Sequence, residues 1–340
     1  MAMTAAAATA AVVMNEAQAV AARSQQWKEN EAYTKALTEL VTWRRSREEY
    51  PGYEAELLKF KAAIPVSEVD MDMVINGDVD NCYRRFLSAA GGKALKAQVL
   101  MNKTLQWRTS QDLTASMRRW RHIPRAIKDV IYDHYQSGWY TSHTPTGTPV
   151  YIERTGRGHM NEVLKHVTAD DIVDHHMRMM EYMMRVLLPE MARRPGVAVP
   201  VPDKVINVLD MEGLGLHMMT SASINILKRV LAIDQAYYPD VMYRCYLVNC
   251  PTVFRVIWAA VKHLVDTRIQ RKIRIMGKIE GAALEELSGV FGGLDRVPSF
   301  LGGGCQRTLK ECAPWCLDHM DDTDFVSWEG TAGTAAGLGT

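Results

Sequence analysis

The residues best equipped for chemistry in this sequence are its thiols, imidazoles and serine hydroxyls, and their spacing argues for binding rather than reaction. Cys305, Cys312, Cys316 and His319 are separated by six, three and two residues. Zinc ligands pair through about two to four residues on tight turns, so half of the pattern fits a metal, whereas thiols packing a C-terminal tail against the core fit all of it. No metal is expected there. His175 and His176 are adjacent on a helical stretch, so their rings diverge and cannot chelate together; they read as surface residues. Ser221, Ser223 and Ser288 lie outside any Gly-x-Ser-x-Gly elbow. Neither a Gly-x-x-x-x-Gly-Lys loop nor a Gly-x-Gly-x-x-Gly turn after a strand is present. The expectation is a protein that is not an enzyme and needs no cofactor.

Signals for binding are stronger. Residues 174–191 carry Met177, Met179, Met180, Met183, Met184 and Met191, and Met218-Met219 follow the next strand-like run. Methionine is flexible and polarisable, which suits a cavity for variable apolar ligands or an irregular core, and both readings stand at this point. Residues 252–265 place Val253, Ile257, Ala260, Val261 and Leu264 on one helical stripe, with Phe254 and Trp258 beside it and Arg255, Lys262 and His263 elsewhere. Such a helix can fill a core or lie in a bilayer surface. Arg268, Arg271, Lys272 and Arg274 form the densest basic patch. A formal net charge of +1 excludes wholesale nucleic-acid binding, so any basic surface is local.

Groups this scattered need a fold to gather them. A chain of 340 residues, 47% hydrophobic and 23% charged, can bury a substantial core. Residues 148–154, TPVYIER, alternate as a half-buried strand does, and Val205–Asp210 is the near-continuous apolar run of a strand covered on both faces. A helix is expected over 168–191, capped by Thr168 with Asp170 and Asp171 in its first turn. Helix, strand, helix and strand then follow over 221–238, 242–249, 252–265 and 272–276. Such alternation implies crossover connections, hence an α/β fold with a largely parallel sheet. Upstream, helical spacing over 25–63, a break at Pro51-Gly52, and apolar residues over 69–108 interrupted at Gly91-Gly92 predict a small helical bundle. Residues 1–23 are Ala-rich and lack the basic start and compact apolar core of a signal peptide. No run of about 18 apolar residues exists; 253–265 comes nearest and is broken by Arg255, Lys262 and His263. Six cysteines without a framework spacing suit reduced intracellular thiols. The expected location is cytoplasmic and peripheral to membranes, with organelle targeting left open.

Several short motifs occur in one order: Arg85-Phe86-Leu87, Trp107-Arg108, Pro149-Val150-Tyr151, Leu209-Asp210-Met211-Glu212-Gly213, Tyr237-Tyr238-Pro239, Val248-Asn249-Cys250-Pro251, Phe300-Leu301-Gly302-Gly303 and Pro314-Trp315. This series resembles the CRAL-TRIO lipid-binding domain family. The resemblance implies a disordered leader (1–23), an all-helical lobe (24–125), a CRAL-TRIO α/β domain with a mainly parallel sheet flanked by helices (126–317) and a flexible tail (318–340). It implies that one phospholipid, phosphatidylinositol or another hydrophobic ligand, is bound in an apolar cavity and exchanged at a transient membrane surface. Asp240 and Lys272, 32 positions apart, take the places of the inositol-headgroup pair. Tyr140 and Tyr151 match tyrosines near the phosphate in choline-lipid relatives, whereas Val205 and Asp234 replace small hydroxyl residues of those relatives. Val253, Phe254, Ile257, Trp258 and Val261 fall on the gate helix, and Met180, Met184, Leu209 and Met218 line the cavity. Where the family carries a basic turn, this chain has Ala89, Ala90, Gly91 and Gly92. The rival reading is a scaffold or subunit that keeps the fold without transferring lipid, with a protein partner recruited by the terminal extensions.

Overall fold

The computed structural model describes residues 51–111, 113, 129–130, 132–134, 136–140, 147–193 and 203–312. Its centre is a five-stranded sheet in the order β1 (Ser137–Tyr140), β2 (Val150–Glu153), β3 (Val205–Asp210), β4 (Met242–Val248) and β5 (Ile273–Ile275). β1 runs antiparallel to β2, and every other neighbour is parallel. Parallel neighbours require crossovers, and the expected helices supply them. Between β2 and β3, α4 (Ala169–Tyr182) continues through a π turn, Met183–Leu187, into α5 (Leu188–Arg193). α6 (Ser221–Tyr237) joins β3 to β4. α7 (Phe254–Val261), prolonged by the 3₁₀ turn Lys262–Leu264, joins β4 to β5, and α8 (Ala282–Phe291) follows. The start of α4 is fixed as expected: the Thr168 hydroxyl accepts from the Asp171 N–H while the Asp171 carboxylate accepts from the Thr168 N–H.

The two sides of the sheet differ. On the α8 side, Val150, Ile152, Val208 and Val248 pack with Leu287, Phe291, Val297 and Leu301, and all eight are fully buried. On the α6 side, Trp139, Tyr151 and Val205 meet Ile172, Met180, Met183 and Ile226, and Cys245 and Leu247 meet Phe254. Two close approaches explain glycines in the ordered motifs. A Cβ on Gly156, just after β2, would lie 2.3 Å from the Glu212 carbonyl oxygen, so the loops leaving β2 and β3 touch through bare backbone. A Cβ on Gly303 would lie 2.1 Å from the Val297 carbonyl oxygen, so the chain can fold back onto itself under the α8 side only with glycine there.

The helices α1 (Tyr53–Ala63), α2 (Val79–Ala89) and α3 (Ala94–Gln111) pack around Tyr53, Phe60, Tyr83, Phe86 and Met101, with Gly91 and Gly92 at positive φ in the turn. Leu95 and Val99, counted above with the apolar set, are 73% and 63% exposed, because α3 is apolar on more than one side and only one side faces its neighbours. Trp107-Arg108 ties these helices to the sheet lobe. Trp107 stacks on Tyr237 at 4.0 Å, and Arg108 grips buried Glu181 of α4 through two bonds of 2.7 and 3.0 Å. Glu181 also accepts from the Tyr238 hydroxyl at 2.9 Å, and Arg108 donates to Asp70, so the buried charges are matched and hydrogen-bonded. Arg85 is buried and donates to the Met73 carbonyl. Residues 1–50 and 313–340, including the expected leader and tail, Pro314-Trp315, Cys316 and His319, lie outside the described residues. Cys305 and Cys312 are buried in the cluster beneath the α8 side.

Candidate functional site

Asp240 stands between two lysines. It follows Tyr237-Tyr238-Pro239 at φ 59°, a left-handed conformation that a short Asp adopts more readily than most residues. One carboxylate oxygen accepts from Lys272 Nζ at 2.7 Å and the other from Lys204 Nζ at 3.1 Å. Lys272 also reaches the Met242 carbonyl at 2.5 Å, and Lys204 the Asp240 carbonyl at 2.6 Å. The three side chains are 7 to 9% exposed, so this is an enclosed cluster rather than a surface pair. Sequence reasoning brought Asp240 and Lys272 together but missed Lys204. The signal was present: each lysine stands immediately before a strand, and parallel β3, β4 and β5 bring those positions to the same end of the sheet, where the strands begin.

The α6 side holds a second polar group. In register, Trp139 sits opposite Tyr151, and Tyr140 opposite Val150, so Tyr140 and Tyr151 point to opposite faces and do not share a site. Tyr140 packs edge-on against Phe291 at 4.9 Å, and burial pushes its hydroxyl up to about 12. Tyr151 donates to Glu153 at 2.9 Å, and Thr155 donates to the other oxygen of that carboxylate at 2.9 Å. Burial raises the Glu153 carboxyl above its ordinary range despite these bonds and the nearby His176. His176 Nε2 meets Asp234 at 2.6 Å, bridging α4 to α6. Burial alone would lower the His176 imidazole, but Asp234 and Glu153 outweigh it and hold it above its ordinary value. His175 goes the other way, held well below by burial and by Arg178 and His176. Neither histidine is a surface residue. The Cys245 thiol is pushed up to about 12 by burial and Glu153, the opposite of a reactive thiolate. The Trp139 indole N–H is buried with no hydrogen-bond partner among the described residues.

The expected cavity residues separate. Met180 and Leu209 face this interior, Met184 turns its sulfur to the Arg85 guanidinium at 3.9 Å, and Met218 lies half-buried in the turn Leu216–Met218. α7 covers the β4–β5 end: Phe254 and Ile257 are buried, Val253, Trp258 and Val261 are half-buried, and Phe254 stacks on Trp258 at 6.1 Å. The inward stripe is therefore Phe254, Ile257, Trp258 and Val261, and Ala260, placed on the stripe above, is exposed.

This arrangement, a mainly parallel sheet with a polar, helix-covered interior on one side, accompanies a direct match. The model of the CRAL/TRIO domain family matches residues 133–303. The chain belongs to the CRAL/TRIO family. Among relatives, it is 28% identical over 278 residues to the phosphatidylinositol/phosphatidylcholine transfer protein SFH7 of Arabidopsis thaliana, covering 79% of this chain and 47% of that one. It is 27% identical over 242 residues to SFH11 of the same plant, a protein of the same description, covering 70% and 58%. It is 27% identical over 221 residues to Protein real-time of Anopheles gambiae, covering 65% and 31%. The chain thus spans between 31 and 58% of these relatives' own lengths. Among solved structures, the crystal structure of Sfh5 matches with TM-score 0.48 and 18% identity over 70% of this chain and 77% of that one. The described part of the CRAL/TRIO match holds both polar clusters, α4, α6 and α7. Among the described residues no helix is long and apolar enough to cross a membrane.

Proposed function

We propose that this CRAL/TRIO protein encloses one phospholipid between the α6 side of its sheet and helices α4, α6 and α7, and exchanges it at a membrane when α7 moves aside. The observation that carries the reading is the contrast across one sheet. On the α8 side the strands meet an apolar set around Leu287 and Phe291, whereas on the other side α6 buries Ile226 alone and, beside the buried apolar residues of α4, the interior holds Glu153, His176 and Asp234. A core needs none of those groups; a ligand-holding interior uses them. The relatives named as phosphatidylinositol/phosphatidylcholine transfer proteins support the same class of cargo. Each acyl CH₂ taken out of water is worth about 0.8 kcal/mol, so escape of a two-chain lipid needs an opening coupled to the bilayer.

Charge separates the two polar clusters. A phosphodiester beside Glu153 and Asp234 would meet carboxylates, whereas beside Lys272 and Lys204 it meets ammonium groups, with Asp240 to accept from headgroup hydroxyls. The phosphate of the ligand therefore belongs at the lysine cluster. Non-transferring scaffold chemistry would need neither. Lys272→Ala tests the assignment: Lys204 still pairs with Asp240, so the cost to stability stays near 1–3 kcal/mol and the fold holds. Transfer of phosphatidylinositol between vesicles is expected to be lost in this variant, and unchanged transfer would overturn the headgroup assignment. Native mass spectrometry of the purified protein tests the enclosure itself: one co-purifying lipid is expected, and an empty, well-folded protein that elutes with a protein partner would favour the scaffold reading.

A further inference from the structure

Helix α3 carries apolar side chains on two opposite sides. Its buried stripe is Ala97, Met101, Thr104 and Arg108, spaced as one face of a helix. Leu95 and Val99, one turn apart on the other side, are among the most exposed large apolar residues described, at 73% and 63%. Lys96 and Lys103, three residues before and four after Val99, share that outward side with Asn102 and Gln106, and all four are exposed. Along Ala94–Gln111 there is no acidic residue. A lone exposed Leu needs no cover, but a Leu and a Val one turn apart between lysines make half of a helix–helix seam.

The other half is written in the chain before Pro51. Tyr33, Leu37, Leu40 and Val41 stand at i, i+4, i+7 and i+8, the apolar stripe of an amphipathic helix, and residues 29–41 carry Glu29, Glu31 and Glu39 against Lys35 alone. A stripe this short does not hold a helix in water by itself and needs a face against which to bury. The fold brings such a face within reach. α1 begins at Tyr53, directly after Gly52 at φ 87°. Glu56 in its first turn accepts from the Ala94 N–H at 2.8 Å, so the starts of α1 and α3 lie side by side, and Leu95 is the next residue along. The chain from Val41 to Pro51 can span up to about 33 Å, and all of α3 is about 27 Å long. We propose that residues 33–41 of this chain dock on the outward side of α3, with Tyr33, Leu37, Leu40 and Val41 covering Leu95 and Val99 and the glutamates set beside Lys96 and Lys103. Charge and reach favour this occupant over a second copy or another protein, because the segment is tethered beside the face and carries the opposite charge. α3 ends in Trp107 and Arg108, which hold Tyr237 and Glu181, so the docked segment braces the helix that joins the two lobes.

Hydrogen exchange of the full chain, read by mass spectrometry, tests the docking, with trypsin cleavage after Lys35 as a second reading. Covering one Leu or Val side chain is worth about tenfold or more in a local equilibrium. The amides of residues 33–41 are therefore expected to exchange at least about tenfold more slowly in the wild type than in the double variant Leu95→Asp, Val99→Asp, whose two positions are exposed and keep the fold. The reciprocal double variant Leu37→Asp, Leu40→Asp, which leaves the described helices untouched, is expected to speed cleavage after Lys35 by a similar factor. Wild-type amides at 33–41 that exchange at the unprotected rate overturn the proposal, and so does protection that survives Leu95→Asp with Val99→Asp. Protection that falls on dilution, with a dimer seen in sedimentation, gives the face to a second copy and overturns it as well. None of these readings depends on bound lipid, so the docking stands or falls apart from the enclosure proposed above.

Discussion

The two sides of one sheet are built to different rules. Beneath the α8 side, Leu287, Phe291, Val297 and Leu301 meet buried strand residues, among them Tyr140, whose ring packs edge-on against Phe291. Beneath the α6 side, the strand positions alternate into Tyr151, Glu153 and Cys245, faced by His176 of α4, half of whose residues are buried, and by Asp234 of α6, whose residues are mostly half-buried. Close packing is where stability is made, since each buried methylene contributes and each void costs. The α6 side also buries an apolar cluster around Met183 and Leu188, but the polar groups set among it cost desolvation, and the proposed cargo gives them a use. On the proposed reading, the α8 side is the plain core and the α6 side combines core with the groups that meet a ligand.

The sharpest way to break this contrast is to remove a ring from the packed side. Phe291→Ala is expected to lower unfolding stability by about 3–5 kcal/mol, because the ring is fully buried and its neighbours can collapse only in part. Urea denaturation measures it, and the loss should be the same whether or not lipid is bound. A cost below about 1 kcal/mol would mean that the α8 side is not the stabilising half.

The elements of the fold are legible in the sequence because their signals are short-range. Val205–Asp210 reads as a strand from its apolar run, Thr168 as a cap from Asp171 three residues on, and the α/β order from alternation. The polar side was read unevenly. Adjacent rings that cannot chelate suggest surface residues at His175 and His176, yet His176 lies four residues after Ile172 and four before Met180, on the buried stripe of α4, and that period is the available clue. Glu153 follows Tyr151 by two in a strand and so shares its face, again a local signal. Lys204 had a signal, its place immediately before an apolar strand as Lys272 stands before β5, but the Arg108–Glu181 grip was not legible, since it depends on which helices the topology sets side by side. The inward stripe of α7 was rotated in the sequence reading because the helix begins only at Phe254 and its packing on Leu247 and Ile273, not its composition, chooses the face.

A smaller effect sharpens the polar half. Asp234→Ala leaves His176 without its 2.6 Å partner across α4 and α6, and a hydrogen bond to a charged group is worth about 1.5–3 kcal/mol. The half-buried setting of the pair places the expected loss at the lower end of that range. Unlike Phe291→Ala, this variant is expected to change lipid retention as well, measured as lipid content after gel filtration. Unchanged retention would detach the His176–Asp234 pair from the cargo.

The smallest effect is the pH dependence that the same pair confers. Because Asp234 and Glu153 hold the His176 imidazole above its ordinary value, the native protein binds that proton more tightly than the unfolded chain does. The stabilisation is therefore complete below the ordinary imidazole value of about 6.5 and is lost as pH rises through the native value. Glu153 acts in the same direction but from lower pH, since burial raises its carboxyl and its ionisation on the way up costs stability. His175 opposes them only where an unfolded imidazole would protonate, because its native form stays neutral well below that point. Unfolding followed in urea at steps from pH 6 upward should show a shallow fall in stability above 6.5 in the wild type and a flatter profile in Asp234→Ala. A wild-type profile that rises across that range would mean that His176 is not held protonated by Asp234, and the polar side of the sheet would then lack the charged pair on which its contrast with the packed side rests.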